Sequence, residues 1–284
     1  MHRASSWLAC LILPAALGAA ASPSQGGPST ACQQAVYLTF DTGHMGVAPL
    51  IAEVLKRHQV RVTFFAANER TQVGDGSLGE HWAGWWRERA LEGHEFASHT
   101  LDHAYWRADL PGSPTQFQIR PSAGAQQGRD RVMNAAQYCQ QIDAAARRLQ
   151  EITGQPALPL FRAPGGKTSP ALLRAALSCG YAHVGWSPAG FLGDELPSER
   201  YSNALLLEQA LRKIRAGDIL VAHLGIWSRR DPWAPTVLEP LLVGLKERGF
   251  CFATLKEHPA YQAHIARGRR PSGLANPPPA SASQ

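Results

Sequence analysis

Cysteine, methionine and charge are all scarce in this chain. Its 284 residues include 5 cysteines and 3 methionines, and only 18% are Asp, Glu, Lys or Arg. That low charged fraction, beside a hydrophobic fraction of 44%, excludes bulk disorder and allows a substantial core. No G-x-G-x-x-G follows the first apolar strand and no P-loop sequence occurs, which argues against a nucleotide-binding sheet. The net charge of +6 is spread along the chain, without a basic stripe interleaved with aromatics. This argues against nucleic acid as a partner and suits an anionic polymer.

Long apolar runs are missing as well, except at the start. His2 and Arg3, an apolar run over 7–20, and Ala19-Ala20-Ala21 before Ser22 read as a secretory signal. Pro14 and the shortness of the run argue against a membrane span, and Trp7 stands where lipidation at Cys10 would want a small aliphatic residue. The expectation is a signal peptide over 1–21, a Ser/Gly/Pro-rich spacer over 22–34 and an exported monomer, periplasmic or extracellular. Cys32, Cys139, Cys179 and Cys251 then remain. In an oxidising compartment they form two disulfides in one of three connectivities, or they stay as buried thiols. Cys32 precedes the first strand and Cys251 lies in the last, so these two pair if those strands are neighbours.

From residue 35 onward, strand and helix patterns alternate. Residues 47–55 carry apolar positions at helical spacing, and 60–67, VRVTFFAA, read as a buried strand. Val132, Ala135, Cys139, Ile142, Ala146 and Leu149 form a stripe on a long helix. Ser169 as N-cap, Pro170 behind it and Gly180 beyond the end punctuate another. The stretch 104–130 reads as a long functional loop, and 261–284 as a disordered tail. About seven strands alternating with helices predict an α/β fold, barrel-like or doubly wound.

Chemically capable residues recur at the ends of these strands: Asp41, His99, Arg162, Trp186 and His223. In parallel α/β barrels that face carries the active site. His99 and His103 stand four apart in SHTLDH, a spacing that lets two imidazoles on one helical turn share a metal ion. A catalytic zinc wants a third protein ligand, and Asp41, Thr42 and His44 are the nearest candidates. Arg162, in FRAPGG, can orient a carboxylate, and His223 can act as a general acid.

Together these segments resemble the NodB-type polysaccharide deacetylases, carbohydrate esterase family 4, over residues 35–255. The family's T-F-D-D-G is similar to Thr39-Phe40-Asp41-Thr42-Gly43, and its H-[ST]-x-x-H to His99-Thr100-Leu101-Asp102-His103. R-x-P-x-G is matched by Arg162-Ala163-Pro164-Gly165-Gly166, and the strand-terminal L-x-H by Val221-Ala222-His223. The resemblance implies a distorted, incomplete (β/α) barrel over 35–260. It implies a divalent metal, zinc in most members, that polarises the acetamide carbonyl of an N-acetyl sugar. It also implies Asp41 as general base, His223 as general acid, Arg162 as the residue that holds Asp41, and His99 and His103 as metal ligands. Trp186 and Val221 would line the acetyl pocket, with Pro164 and Gly165 as further substrate-binding candidates.

Two departures stand out. Thr42 replaces an Asp that ligates the metal, and a neutral hydroxyl is a poorer ligand than a carboxylate. His44 is the candidate replacement. The D-x-x-D-W motif, whose second Asp orients the acid histidine, is replaced by WSPAGFLGDE, in which Asp194 can serve after a short insertion. Both features resemble the branch that deacetylates N-acetylmuramic acid in peptidoglycan, which places peptidoglycan ahead of chitooligosaccharide as substrate. Glycan binding without hydrolysis, and hydrolysis of another small amide, are the alternatives.

Overall fold

The structure, a computed structural model, describes Met1 and residues 32–268 apart from Ser113. The expected signal peptide, most of the spacer and the tail beyond Gly268 lie outside the described residues. The first half runs β1 (Ala35–Asp41), α1 (Ala48–Arg57), β2 (Thr63–Ala66), α2 (Glu80–Leu91), β3 (Glu95–Ser98), β4 (Ala104–Leu110), β5 (Gln116–Pro121), β6 (Arg131–Met133) and α3 (Ala135–Thr153). The second runs β7 (Leu160–Phe161), α4 (Pro170–Ser178), β8 (Ala182–His183), α5 (Asn203–Lys213), β9 (Ile219–His223), α6 (Leu238–Glu247), β10 (Cys251–Phe252) and α7 (Pro259–Arg267).

A parallel sheet in the order β9-β1-β2-β3-β7-β8 forms the centre, with β10 pairing the start of β1. A Phe191–Val221 bridge brings the chain after β8 back to the free edge of β9. The sheet therefore curls into the expected incomplete barrel. Its strands are buried on both faces, which is why β1 and β9 read as continuous apolar runs. Side chains alternate across a strand, so residues of one parity face the lumen. Tyr37, Phe65, Ala97, Leu160, Val184 and Ile219 fill its floor as one apolar cluster. Two or four residues further on, at or just past the ends of these strands, stand Asp41, His99, Arg162, Trp186 and His223. The apolar floor and the polar rim are thus one pattern.

Three expectations need correction. Residues 104–130 are not a loop: β4, β5 and β6 form an antiparallel sheet. Phe117 and Ile119, at alternate positions of β5, are buried against Tyr138 and Ile142 of α3, and the outward Gln116, Gln118 and Arg120 hid that period. Val132 is not on the long helix but in β6, 53% exposed. The helix begins after the Asn134–Gln137 capping box, whose reciprocal bonds stop it from extending backward. Finally, the expected tail opens in helix, because α7 covers Pro259–Arg267, with Pro259 in its first turn and Tyr261 and Ile265 packed on the barrel floor.

Two disulfides form, Cys32–Cys251 and Cys139–Cys179. The first joins the approach to β1 with β10, spanning 219 residues; the second ties α3 to the end of α4. Closing so long a loop removes much chain entropy from the unfolded state. Replacing Cys32 and Cys251 with Ser is expected to lower stability by about 2–5 kcal/mol. Thermal melting of the double variant against the oxidised parent measures it, and coincident melts would contradict the assignment.

Candidate active site

Asp41 ends β1 beside His223 of β9, with the two Cα positions in register. The Asp41 carboxylate is 3% exposed and accepts a hydrogen bond from Arg162 Nη1 at 2.5 Å. Arg162, fully buried, also donates to the carbonyls of Val184 and Gly185, both at 3.2 Å, and lies 4.1 Å from the Phe65 ring centroid. Each of its three nitrogens is therefore engaged. Burial alone would raise the Asp41 carboxyl, but the charge of Arg162, the largest of the opposing influences, helps to outweigh it and hold the carboxyl below its usual range.

His99 follows β3, and its Nδ1 donates to the Arg162 carbonyl at 2.8 Å. A carbonyl only accepts, so the proton is on Nδ1 and the lone pair of Nε2 points away from that contact. Burial pushes His99 down to about 4, which keeps it neutral, and its 3.5 Å approach to Asp41 Oδ2 is not an ion pair. His103 Nε2 faces His99 Nε2 at 3.2 Å, and His103 Nδ1 meets Ser122 Oγ at 2.5 Å. The two histidines are not on a helix. Thr100 and His103 take positive φ angles of 63° and 48°, and a turn closed by the His103 N–H to Thr100 carbonyl bond folds the rings together. Two ligands about 2.0–2.1 Å from a tetrahedral ion stand roughly 3.3–3.4 Å apart, so this pair has the spacing of adjacent metal ligands. Among the described residues no three His, Cys, Asp or Glu side chains form a complete ligand set.

His223 is tied from behind. Asp194 accepts its Nδ1–H at 3.0 Å and its backbone N–H at 2.6 Å. Burial disfavours the imidazolium, but the Asp194 charge and hydrogen bond, together with Asp41, raise His223 to about 9. Its Nε2 has no hydrogen-bond partner among the described residues. Gly43 has φ 139°, and a Cβ there would collide with the Gly225 carbonyl oxygen that receives the His44 N–H. Only glycine lets the β1 and β9 loops approach so closely.

Asp41, Thr42, His99, His103, Gly165, Trp186, Val221 and His223 line one cleft of about 480 Å³, joined by Glu69, Tyr105 and Trp227. Pro164 does not line the cleft but is buried at the start of the turn that carries Gly165, and Asp194 lies behind His223. His44 is turned away from the imidazole pair: its Nδ1 accepts from Gly46 N–H at 2.9 Å, and it borders a neighbouring hollow with Gln72. Thr42 Oγ1 accepts from Ala67 N–H at 3.0 Å and donates to Glu69 Oε2 at 2.6 Å.

The sequence matches the family "Polysaccharide deacetylase" over residues 29–184. The chain belongs to this family. Among polysaccharide deacetylase relatives, a chitooligosaccharide deacetylase of Azorhizobium caulinodans is 29% identical, over 78% of this chain and 93% of its own. A peptidoglycan-N-acetylmuramic acid deacetylase of Bacillus subtilis is 24% identical, over 79% of this chain and 71% of its own. In fold, the chain is similar to a family 4 acetyl xylan esterase from Clostridium thermocellum in complex with a cobalt ion. The TM-score is 0.60 at 21% identity, covering 83% of this chain and 96% of that one. The peptidoglycan branch is thus one of several within polysaccharide deacetylase reach. Glu69, Tyr105, Ser122 and Trp227 were missed in the sequence.

Proposed function

We propose that the protein is an exported, metal-dependent deacetylase of N-acetylated cell-wall polysaccharide, with peptidoglycan preferred to chitooligosaccharide. The observation that carries this is one cleft shared by the Arg162–Asp41 pair, the His99–His103 pair and the Asp194–His223 pair. A divalent ion, zinc by the chemistry of two imidazoles and a carboxylate, would supply Lewis-acid polarisation of the acetyl carbonyl. Asp41 Oδ2, the oxygen not bonded to Arg162, takes a proton from the attacking water as its oxygen bonds to the acetyl carbon. His223 Nε2 gives a proton to the departing nitrogen as the C–N bond breaks, leaving acetate and a free amine. Trp186 and Val221 border the space for the methyl group, and Gly165 exposes backbone beside them.

Export is supported by two disulfides, which persist in oxidising compartments, and no described helix is long and apolar enough to cross a membrane. The net charge of +6 favours an anionic wall polymer, and Trp227, 59% exposed on the rim, offers a sugar ring an aromatic face. The test is acetate release from peptidoglycan and from chitooligosaccharide with Zn²⁺ or Co²⁺ added. Faster release from peptidoglycan is expected; no acetate from any N-acetyl glycan would overturn the reading. Because no described trio forms a complete ligand set, binding without hydrolysis is the second reading. It predicts glycan affinity that survives Asp41→Asn in a protein that releases no acetate.

A further inference from the structure

We propose that Glu69 supplies the carboxylate that joins His99 and His103 in holding the divalent ion, with Thr42 as its positioning residue. This rests on the metal-dependent reading above. Two imidazoles make an incomplete catalytic site, and the usual completion is a carboxylate or a third histidine. Asp41 gives Oδ1 to Arg162, and its Oδ2, 3.5 Å from His99 Nε2, is the base of the proposed reaction; His44 is bonded to the Gly46 N–H away from the pair. Thr42 is neutral, and its hydroxyl already serves Ala67 and Glu69.

Glu69 has the chemistry and the place. Thr42 holds one carboxylate oxygen at 2.6 Å, and the other lies 3.6 Å from His103 Nδ1, so Glu69 stands beside the imidazole pair without completing a ligand set with it in this conformation. Its side chain is 18% exposed, and among the described residues no Lys or Arg forms an ion pair with it. The adjacent Arg70 is turned over the Trp227 ring instead, 5.4 Å from its centroid. A largely buried carboxylate with no Lys or Arg partner among the described residues, beside two imidazoles that face each other, is an arrangement that a divalent cation completes. The hydroxyl of Thr42 thus passes the ligand role to a longer acid rather than filling it.

The test is Co²⁺ and Zn²⁺ titration of metal-stripped protein, read by calorimetry and by the visible Co²⁺ absorption, with circular dichroism checking the fold. One ion per chain is expected for the parent. Glu69→Gln is expected to weaken binding more than about tenfold, and Thr42→Val, which cuts the tether but keeps the acid, about three- to tenfold. His44→Ala should bind as the parent does. Adding Thr42→Asp to Glu69→Gln should recover most of the lost affinity, because a carboxylate then returns from the other side of the same hydrogen bond. Parent affinity in both Glu69→Gln and Thr42→Val overturns the Glu69 assignment and leaves the metal-dependent reading standing. So does loss of binding in His44→Ala. A parent that binds neither ion overturns both. If Glu69→Gln does not fold, Thr42→Val alone decides.

Discussion

Arg162→Ala is expected to destabilise the fold by about 3–5 kcal/mol and to cut acetate release by a factor of about 10²–10⁴. The first effect follows from burial. Arg162 is fully inside the barrel, and Asp41, its partner at 2.5 Å, is 3% exposed. Removing the guanidinium leaves a carboxylate with too little water or protein charge to stabilise it, a larger loss than the pair's own net contribution. For a domain of this size each kcal/mol moves the melting temperature by roughly 2–4 °C, so the shift is of order 10 °C. The second effect follows from protonation. With Arg162 gone, burial, already the largest single influence on Asp41, is no longer outweighed, and the carboxyl is expected to titrate above its ordinary range instead of below it. In the parent the depressed Asp41 contributes stability that is present above the unfolded value of 3.8 and lost as pH falls through the lower folded value. The difference in melting temperature between parent and variant should therefore narrow as pH falls below about 4. A constant gap, or parallel loss of activity without loss of stability, would contradict this account.

The residues that the sequence offered for this site stood out as polar groups at strand ends, and the barrel accounts for that placement through the period of two. Tyr37 and Asp41, Ala97 and His99, Leu160 and Arg162, and Ile219 and His223 each pair a floor residue with a rim residue on one face of one strand. What escaped was set by contacts rather than by pattern. Glu69 lies beyond the last strand residue of β2, in a segment that has no periodicity of its own, and only the Thr42 bond brings it to the imidazoles. His99 and His103 at four-residue spacing suggested a helix, yet a turn with two positive φ angles brings the same rings together. The antiparallel β4–β6 sheet was hidden because one of its faces is polar and exposed, so composition read as loop. Asp194 was found only as an alternative to a missing residue, because the insertion before it shifts the register that a motif depends on.

The Asp194→Asn variant should move the alkaline limb of the pH–activity profile to lower pH. In the parent, Asp194 holds the His223 Nδ1–H at 3.0 Å and raises the imidazole to about 9, so the proposed acid stays protonated through neutral pH. Burial is the largest single influence on His223 and acts downward, so without the Asp194 charge the imidazole falls to 6.5 or below. At pH 8 the parent would then keep about nine-tenths of its acid form and the variant about 3%, roughly a thirtyfold difference in rate that shrinks toward pH 6. Stability should follow the same group. A folded value of about 9 against 6.5 unfolded, at 1.36 kcal/mol per unit, gives about 3 kcal/mol. That contribution is fully present below 6.5 and disappears as pH rises through about 9, so the parent should melt earlier at pH 10 than at pH 6 for this reason. In Asp194→Asn that part of the slope is expected to vanish. A profile that drops uniformly at all pH values, with the limb unmoved, would mean that Asp194 only packs against the histidine. A shifted limb makes it the residue that sets when His223 can give up its proton.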